Sequence, residues 1–191
     1  THFHETMFYH KCNNILSRLE IITLMEHVDY TASRADEDNS NRDMYPLNLN
    51  DKISTVDKLI LDIRDGPAAH FNIDISGLYL YMTYNIDREG YYIEPHTDYP
   101  TSTLFGQIYC PVANSDNLYE KYGTAFYSPD LKVMEYGKYK SGCGYFLKPT
   151  KQSFHGLKDV ITEPRYSFLL DFVTPQQLKD EDYNLKYCIQ V

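Results

Sequence analysis

The chain has 191 residues, 42% hydrophobic and 15% aromatic, which suits one folded domain with a buried core and excludes a disordered tail. Its 18 basic residues face 27 acidic ones, a net charge of −9 with no basic run, so nucleic acid is not an expected partner. No apolar stretch approaches the roughly 18 residues of a membrane span. Cys12, Cys110, Cys143 and Cys188 are widely spaced, with no C-x-x-C pair and no secretory leader ahead of them, and read as reduced thiols of a cytoplasmic protein. The chain starts at Thr1 rather than Met, which leaves an upstream segment open.

Ile15, Leu19, Ile22 and Met25, flanked by Leu16, recur at near-helical spacing and predict an amphipathic helix over Asn13 to His27. The polar stretch Thr31 to Asn50 reads as a long loop and a candidate substrate lid, because long loops in compact domains are often functional. Ser54 with Asp57 three residues later has the pattern of a capping box. It opens a second helix through Val56, Leu59, Ile60 and Ile63, with Gly66-Pro67 as its stop.

The texture then changes to short β-rich runs. Phe71 to Ile75, Leu78 to Tyr84, Tyr91 to Glu94 and Thr103 to Cys110 come first, with a turn at Asp87-Arg88-Glu89-Gly90. Gly123 to Tyr127, Tyr145 to Leu147 and Tyr166 to Val173 follow. There are 19 Tyr and no Trp; Tyr favours strands and carries a polar tip, so a polar-lined cavity fits. Helical support over about 13–65 and a β core over about 71–174 predict a mainly β sandwich or open barrel, braced by helices, in one domain spanning 1–191.

Two H-x-D pairs occur, where seven His and 17 Asp in 191 residues make about 0.6 expected by chance. His27-Val28-Asp29 ends the first helix, where residues two apart diverge around the axis, and reads as incidental. His96-Thr97-Asp98 follows the strand candidate Gly90 to Pro95. On a strand end, residues two apart point the same way and can offer two metal ligands. His155 lies further along, after Gly144-Tyr145-Phe146-Leu147-Lys148-Pro149. Two His and one carboxylate on one face of an octahedron leave three positions open, the pattern of non-haem Fe(II) oxygenases. Ten residues beyond His155, Arg165-Tyr166-Ser167 opens the last apolar strand, and Arg165 with Ser167 can grip a carboxylate from one face.

The order H-x-D, His, then R-x-S resembles the 2-oxoglutarate/Fe(II)-dependent dioxygenase superfamily, over roughly Leu78 to Val173. The resemblance implies a double-stranded β-helix (a jelly roll) with supporting N-terminal helices. It implies His96, Asp98 and His155 as the iron ligands, Arg165 assisted by Ser167 on the distal carboxylate of 2-oxoglutarate, and Tyr84 and Tyr109 lining the cosubstrate pocket. In a chain with 19 Tyr, core packing is the equal alternative for each of those two tyrosines. The implied activity is hydroxylation of a peptide or small molecule using O2, with release of succinate and CO2 and ascorbate as reductant.

Asp98 departs from the related halogenases, which lack the carboxylate. Asp171 stands where the alkylated-nucleobase demethylases carry a second Arg, and Jumonji-type demethylases use a Lys elsewhere in place of this R-x-S strand. The compact length and Tyr-rich strand resemble prolyl-hydroxylase-like enzymes of microbes and their viruses. The alternative is a cupin-like metal-binding jelly roll, which explains the His/Asp/His set and leaves R-x-S idle. Substrate and oligomeric state do not follow from the sequence.

Overall fold

The computed structural model describes residues 8–35, 41–112 and 119–191. Among these, the centre of the molecule is an antiparallel trio: β4 (Tyr79–Asp87), β10 (Arg165–Val173) and β5 (Leu104–Tyr109). β8 (Gly144–Leu147) and β1 (Tyr9–Cys12) extend the sheet past β5. On the other side β4 pairs with β3 (Arg42–Pro46), itself paired with β2 (Arg34–Ala35), and with β11 (Cys188–Gln190) beyond the end of β3. A second sheet has the order β7 (Val133–Tyr136), β6 (Ala125–Tyr127), β9 (His155–Gly156).

Period-two alternation divides the large sheet into two faces with different jobs. On β4, Leu80, Met82 and Tyr84 join one core, while Thr83, Asn85 and Asp87 are buried polar residues on the opposite face. β10 is built alike, with Phe168, Leu170 and Phe172 on the first face and Arg165, Ser167 and Leu169 on the second. The register places Ser167 opposite both Asn85 and Tyr109, so each face stays continuous across the strands. The apolar face packs on α1 (Arg18–Met25) and α2 (Ser54–Ile63), through Leu24, Val56, Leu59 and Ile63. The polar face turns toward the second sheet, and a core rich in tyrosine fills the gap between them. The mainly β sandwich with helices on one side agrees with the sequence.

Several elements differ from the sequence reading. The first helix begins at Arg18, where Ser17 and Glu20 form a reciprocal capping box, and Ile21 and Leu24 face inward. Leu19 is 73% and Ile22 50% exposed. Apolar residues lie almost all round this segment, so two stripes were available, and packing on α2 and the sheet chose the other one. The Ser54–Asp57 box does not form: the N-cap of α2 is Ile53, without a side-chain cap bond. Gly66-Pro67 does not stop the helix either. The chain widens into a π-turn over Arg64–Ala68, which absorbs the N–H that Pro67 lacks.

Phe71 to Ile75 is a turn and irregular segment rather than a strand, with Asn72 at φ 56° and Phe71 and Ile75 buried in the core. The reading of Thr31 to Asn50 as a loop is corrected over its described part, since β2 and β3 form an antiparallel pair and β3 is hydrogen-bonded to β4. Residues 36–40 lie outside the described residues. β1, β7, β9 and β11 are strands that the sequence did not announce, each four residues or shorter. The four cysteines are free, three of them buried. Among the described residues no helix is long and apolar enough to cross a membrane.

The choice of stripe on α1 is directly measurable. Leu24→Ala should lower unfolding free energy in a urea titration by about 2–5 kcal/mol, the range for a filled core site. Leu19→Ala should change it by less than ~0.5 kcal/mol, as for an exposed position.

Candidate active site

The bridging of two short segments builds one end of the site. His96 and His155 exchange both backbone hydrogen bonds, N–H to carbonyl at 3.0 Å each way. Leu157 N–H donates to Ile93 carbonyl and Ile161 N–H to Tyr91 carbonyl, so Tyr91 to His96 runs antiparallel beside His155 to Ile161. This stretch, expected as a strand over Tyr91 to Glu94, makes a single isolated bridge rather than a ladder of its own. The approach is close: a Cβ on Gly156 would lie 2.7 Å from Ile93 carbonyl oxygen and 2.8 Å from that of Glu94, so only glycine fits.

That bridge brings His96, Asp98 and His155 together, with one donor atom of each within 4.8 Å of the others. His96 Nδ1 donates to Glu94 carbonyl and His155 Nδ1 to Ser153 carbonyl, both at 2.9 Å. A carbonyl can only accept, so each ring carries a proton on Nδ1 and turns Nε2 inward. His155 Nε2 lies 3.0 Å and His96 Nε2 3.7 Å from the Asp98 carboxylate. Asp98 Oδ2 is buried and accepts no hydrogen bond of sound geometry, despite that 3.0 Å approach. Two imidazole Nε2 atoms turned toward a buried carboxylate oxygen form a group that could hold a cation, and a divalent metal fits this donor set.

Burial pushes the Asp98 carboxyl up, but His155, His96 and Arg42 override it and hold it below the usual carboxylate range. Burial, then His155, lowers the His96 imidazole. Both shifts favour the deprotonated forms that bind metal. The other H-x-D pair takes no part: His27 Nδ1 lies 3.1 Å from Asp51, and Asp29 accepts from Thr31 and Tyr187.

The opposite end is built from the polar face of the large sheet. Arg165 is buried, and its guanidinium donates to Tyr122 carbonyl at 2.7 Å, Asp87 at 2.9 Å and Thr124 hydroxyl at 3.1 Å. Asp87 is completely buried and also accepts two bonds from Arg42, at 2.6 and 3.0 Å. Burial opposes its charge, yet Arg42 and then Arg165 hold its pKa low. Arg42 sits over the Tyr91 ring, 4.5 Å from the centroid. Between the ends lies a cavity of about 170 Å³. The triad and both arginines line it, with Ile93, Phe105, Leu157 and Leu169 as apolar walls and Gln107, Thr124 and Tyr145 as polar ones.

Four of the seven residues singled out in the sequence thus line one cavity: His96, Asp98, His155 and Arg165. Ser167 stands behind the wall, its hydroxyl accepting from Gln107 Nε2 at 2.9 Å. Tyr109 is also a layer back, on the same sheet face, with its hydroxyl bonded to Thr124 and its ring 5.5 Å from the Arg165 guanidinium carbon. Tyr84 is placed elsewhere: it packs with Phe168 on the helix-covered face. The strand's own alternation carried that signal, since Tyr84 is in phase with Leu80 and Met82. The same count puts Asp87 in phase with Thr83 and Asn85, as the last residue of β4 rather than the first of a turn. Arg42, Gln107, Thr124 and Tyr145 were not singled out. Arg42 sits in a polar stretch without periodicity, and only its pairing with β4 makes it a strand residue.

No protein-family model matches the sequence, and no curated protein matches it. Solved structures do match in fold. A prolyl-4-hydroxylase from Pseudomonas putida is similar at a TM-score of 0.61 and 12% identity, over 88% of this chain and 94% of the other. A prolyl hydroxylase from Trichoplax adhaerens, solved with a peptide fragment of hypoxia inducible factor, has a TM-score of 0.61 at 13% identity, over 90% and 86% of the two chains. The viral collagen prolyl hydroxylase of Paramecium bursaria Chlorella virus-1, solved with 2-oxoglutarate, has a TM-score of 0.59 at 14% identity, over 86% and 95%.

The tight packing at Gly156 gives the site its own test. Gly156→Ala should weaken binding of Ni(II) or Fe(II) by about tenfold or more in a calorimetric titration, because it displaces the segment carrying His96. Unaltered affinity would separate metal binding from the bridge. Taken with its architecture, the chain carries the double-stranded β-helix fold of the prolyl hydroxylases and other 2-oxoglutarate/Fe(II) oxygenases.

Proposed function

We propose that the chain is an Fe(II)- and 2-oxoglutarate-dependent dioxygenase that hydroxylates a peptide or small-molecule substrate, with release of succinate and CO2. The observation that carries this reading is one cavity with a His/Asp/His donor set at one end and a buried arginine at the other. The shared fold supports it, as do the ligands of similar proteins: 2-oxoglutarate in the viral enzyme, and nickel, 2-oxoglutarate and hygromycin B in HygX from Streptomyces hygroscopicus. The peptide of the Trichoplax enzyme and the hygromycin B of HygX support a peptide or small-molecule substrate equally. Residues 1–191 act as a single domain in this reading, in the cytoplasm, with ascorbate as the reductant.

Iron with bound 2-oxoglutarate supplies oxidative decarboxylation, which turns O2 into an oxidant able to hydroxylate a C–H bond. The chain's own residues prepare the place for it. The Nδ1 bonds to Glu94 and Ser153 carbonyls orient both imidazoles with Nε2 toward the cavity. Asp98 adds the one negative charge of the donor set. Arg165 matches a distal carboxylate by a planar pair of donors, and Ser167 steadies the neighbouring Gln107 amide. Phe105, Leu157 and Leu169 keep water from the space between.

The test is succinate release from the purified chain with Fe(II), ascorbate and 2-oxoglutarate, with and without candidate peptides. Wild type should turn over slowly without substrate, and His155→Ala should abolish that turnover. Arg165→Ala should raise the apparent KM for 2-oxoglutarate by about tenfold or more, the scale of a lost charge-assisted pair. An unchanged KM would remove Arg165 from cosubstrate binding. Neither turnover nor 2-oxoglutarate binding in wild type would favour the cupin-like metal-binding jelly roll.

A further inference from the structure

Arg165 is the first residue of β10, where a strand is least held by its neighbours. Pairing with β4 begins there, at Asp87, but the ladder to β5 begins only two residues later, at Ser167. Thr162 to Pro164, which lead into the strand, are irregular. A long side chain on a loose strand end has much rotamer freedom to lose on binding, so a site that uses it gains from fixing it beforehand.

Two buried tyrosine hydroxyls hold this strand end. Tyr122 Oη accepts from the Thr162 N–H at 3.0 Å and from the Glu163 N–H at 2.7 Å. With two donors on its oxygen, the phenolic proton is left for the Thr162 hydroxyl, 3.3 Å away. On the other flank, the Tyr166 carbonyl accepts from Cys110 N–H, but the Tyr166 N–H goes to Tyr139 Oη at 3.0 Å instead of to a strand carbonyl. The rings of the two tyrosines lie 5.7 Å apart. Tyr122 also meets Arg165 directly, its carbonyl accepting from Nε at 2.7 Å. That bond sets the guanidinium plane from the rear, and Nη2 then reaches Thr124 in the cavity wall at 3.1 Å. Neither tyrosine lines the cavity itself.

We propose that Tyr122 and Tyr139 are positioning residues for the cosubstrate, acting through Arg165: their hydroxyls anchor the backbone on either side of it, so that the guanidinium is already aimed when the distal carboxylate of 2-oxoglutarate arrives. This rests on the oxygenase reading above. The hydroxyls contribute to affinity only for ligands that use Arg165, whereas a merely structural role would affect every ligand of the site alike.

The experiment compares two ligands on the full chain loaded with Ni(II), by calorimetry. 2-Oxoglutarate carries the distal carboxylate; 2-oxobutyrate has the same keto-acid head without it. Tyr122→Phe keeps the ring and should weaken 2-oxoglutarate about fivefold, the scale of one hydrogen bond, while changing 2-oxobutyrate by less than about twofold. Tyr139→Phe should act in the same direction, and carries the test if Tyr122→Phe does not fold. In an Arg165→Ala background either change should weaken 2-oxoglutarate by less than a further twofold or so, because the group it acts through is gone. Tyr187→Phe is the control: it loses a hydroxyl bond to Asp29, 2.7 Å long and away from the cavity, and should leave the preference for 2-oxoglutarate over 2-oxobutyrate unchanged. Equal losses for both ligands, no loss, a loss that persists without Arg165, or an equal change of preference in Tyr187→Phe would overturn the role of the tyrosine concerned. Wild type that binds 2-oxoglutarate no better than 2-oxobutyrate would overturn the oxygenase reading at Arg165, and this inference with it.

Discussion

Two guanidinium groups on strands either side of β4 converge on the carboxylate of Asp87, and the closed end of the cavity depends on that ion triplet. It fastens β3 and β10 to the end of β4 where backbone pairing runs out, at the facing residues Arg42, Asp87 and Arg165. Three charges taken out of water are costly, and apolar residues of similar volume would hold the strands as well or better. Stability alone therefore does not explain why this corner is ionic. On the proposed function its edge on the cavity does: a site that takes a carboxylate needs fixed positive charge in a dry place, and fixed charge needs counterions to stay folded.

The His96/Asp98/His155 end is positioned by the backbone. His155 sits on a two-residue strand and His96 on a single isolated bridge. Yet each ring is held by a carbonyl two residues upstream in its own segment, Ser153 for His155 and Glu94 for His96. The same i−2 bond on both sides sets both tautomers, and Gly156 lets the two segments approach closely enough for their Nε2 atoms to meet one carboxylate. Local geometry thus does what a longer strand would do elsewhere.

This difference explains what was legible in the sequence. His96 with Asp98, and Arg165 with Ser167, were legible because each pair is a short local pattern, and His155 because it stands between the two in the order of the resemblance. The central strands β4, β5 and β10 were likewise legible from local pattern. Arg42 was not, because Arg42-Asp43-Met44-Tyr45-Pro46 has no alternation, and its strand exists only through the bonds it makes to β4. Asp87 was read into a turn that follows it by one residue, although its phase with Thr83 and Asn85 pointed inward. The face of α1 was ambiguous for a related reason: six apolar residues in ten leave the choice of stripe to tertiary packing. For Tyr84, where cosubstrate pocket and core packing stood as equal alternatives, the structure places the side chain in the core, in phase with Leu80 and Met82.

The abundance of tyrosine acquires a physical reason from the same corner. Tyr109, Tyr122, Tyr139 and Tyr145 all pack into the core between the sheets, and each hydroxyl has a partner there. Tyr145 donates to Gln107, Tyr109 to Thr124, while Tyr122 and Tyr139 accept from backbone N–H groups. Burial raises the pKa of Tyr109, Tyr139 and Tyr145, so these hydroxyls stay neutral around Arg165. Phenylalanine would fill the space but remove a bond from Gln107, from Thr124 and from the backbone N–H groups of Thr124, Glu163 and Tyr166; acidic residues would add charge. Tyrosine does neither. The tyrosines thus add hydrogen bonds without adding charge beside the buried Asp87, Arg42 and Arg165.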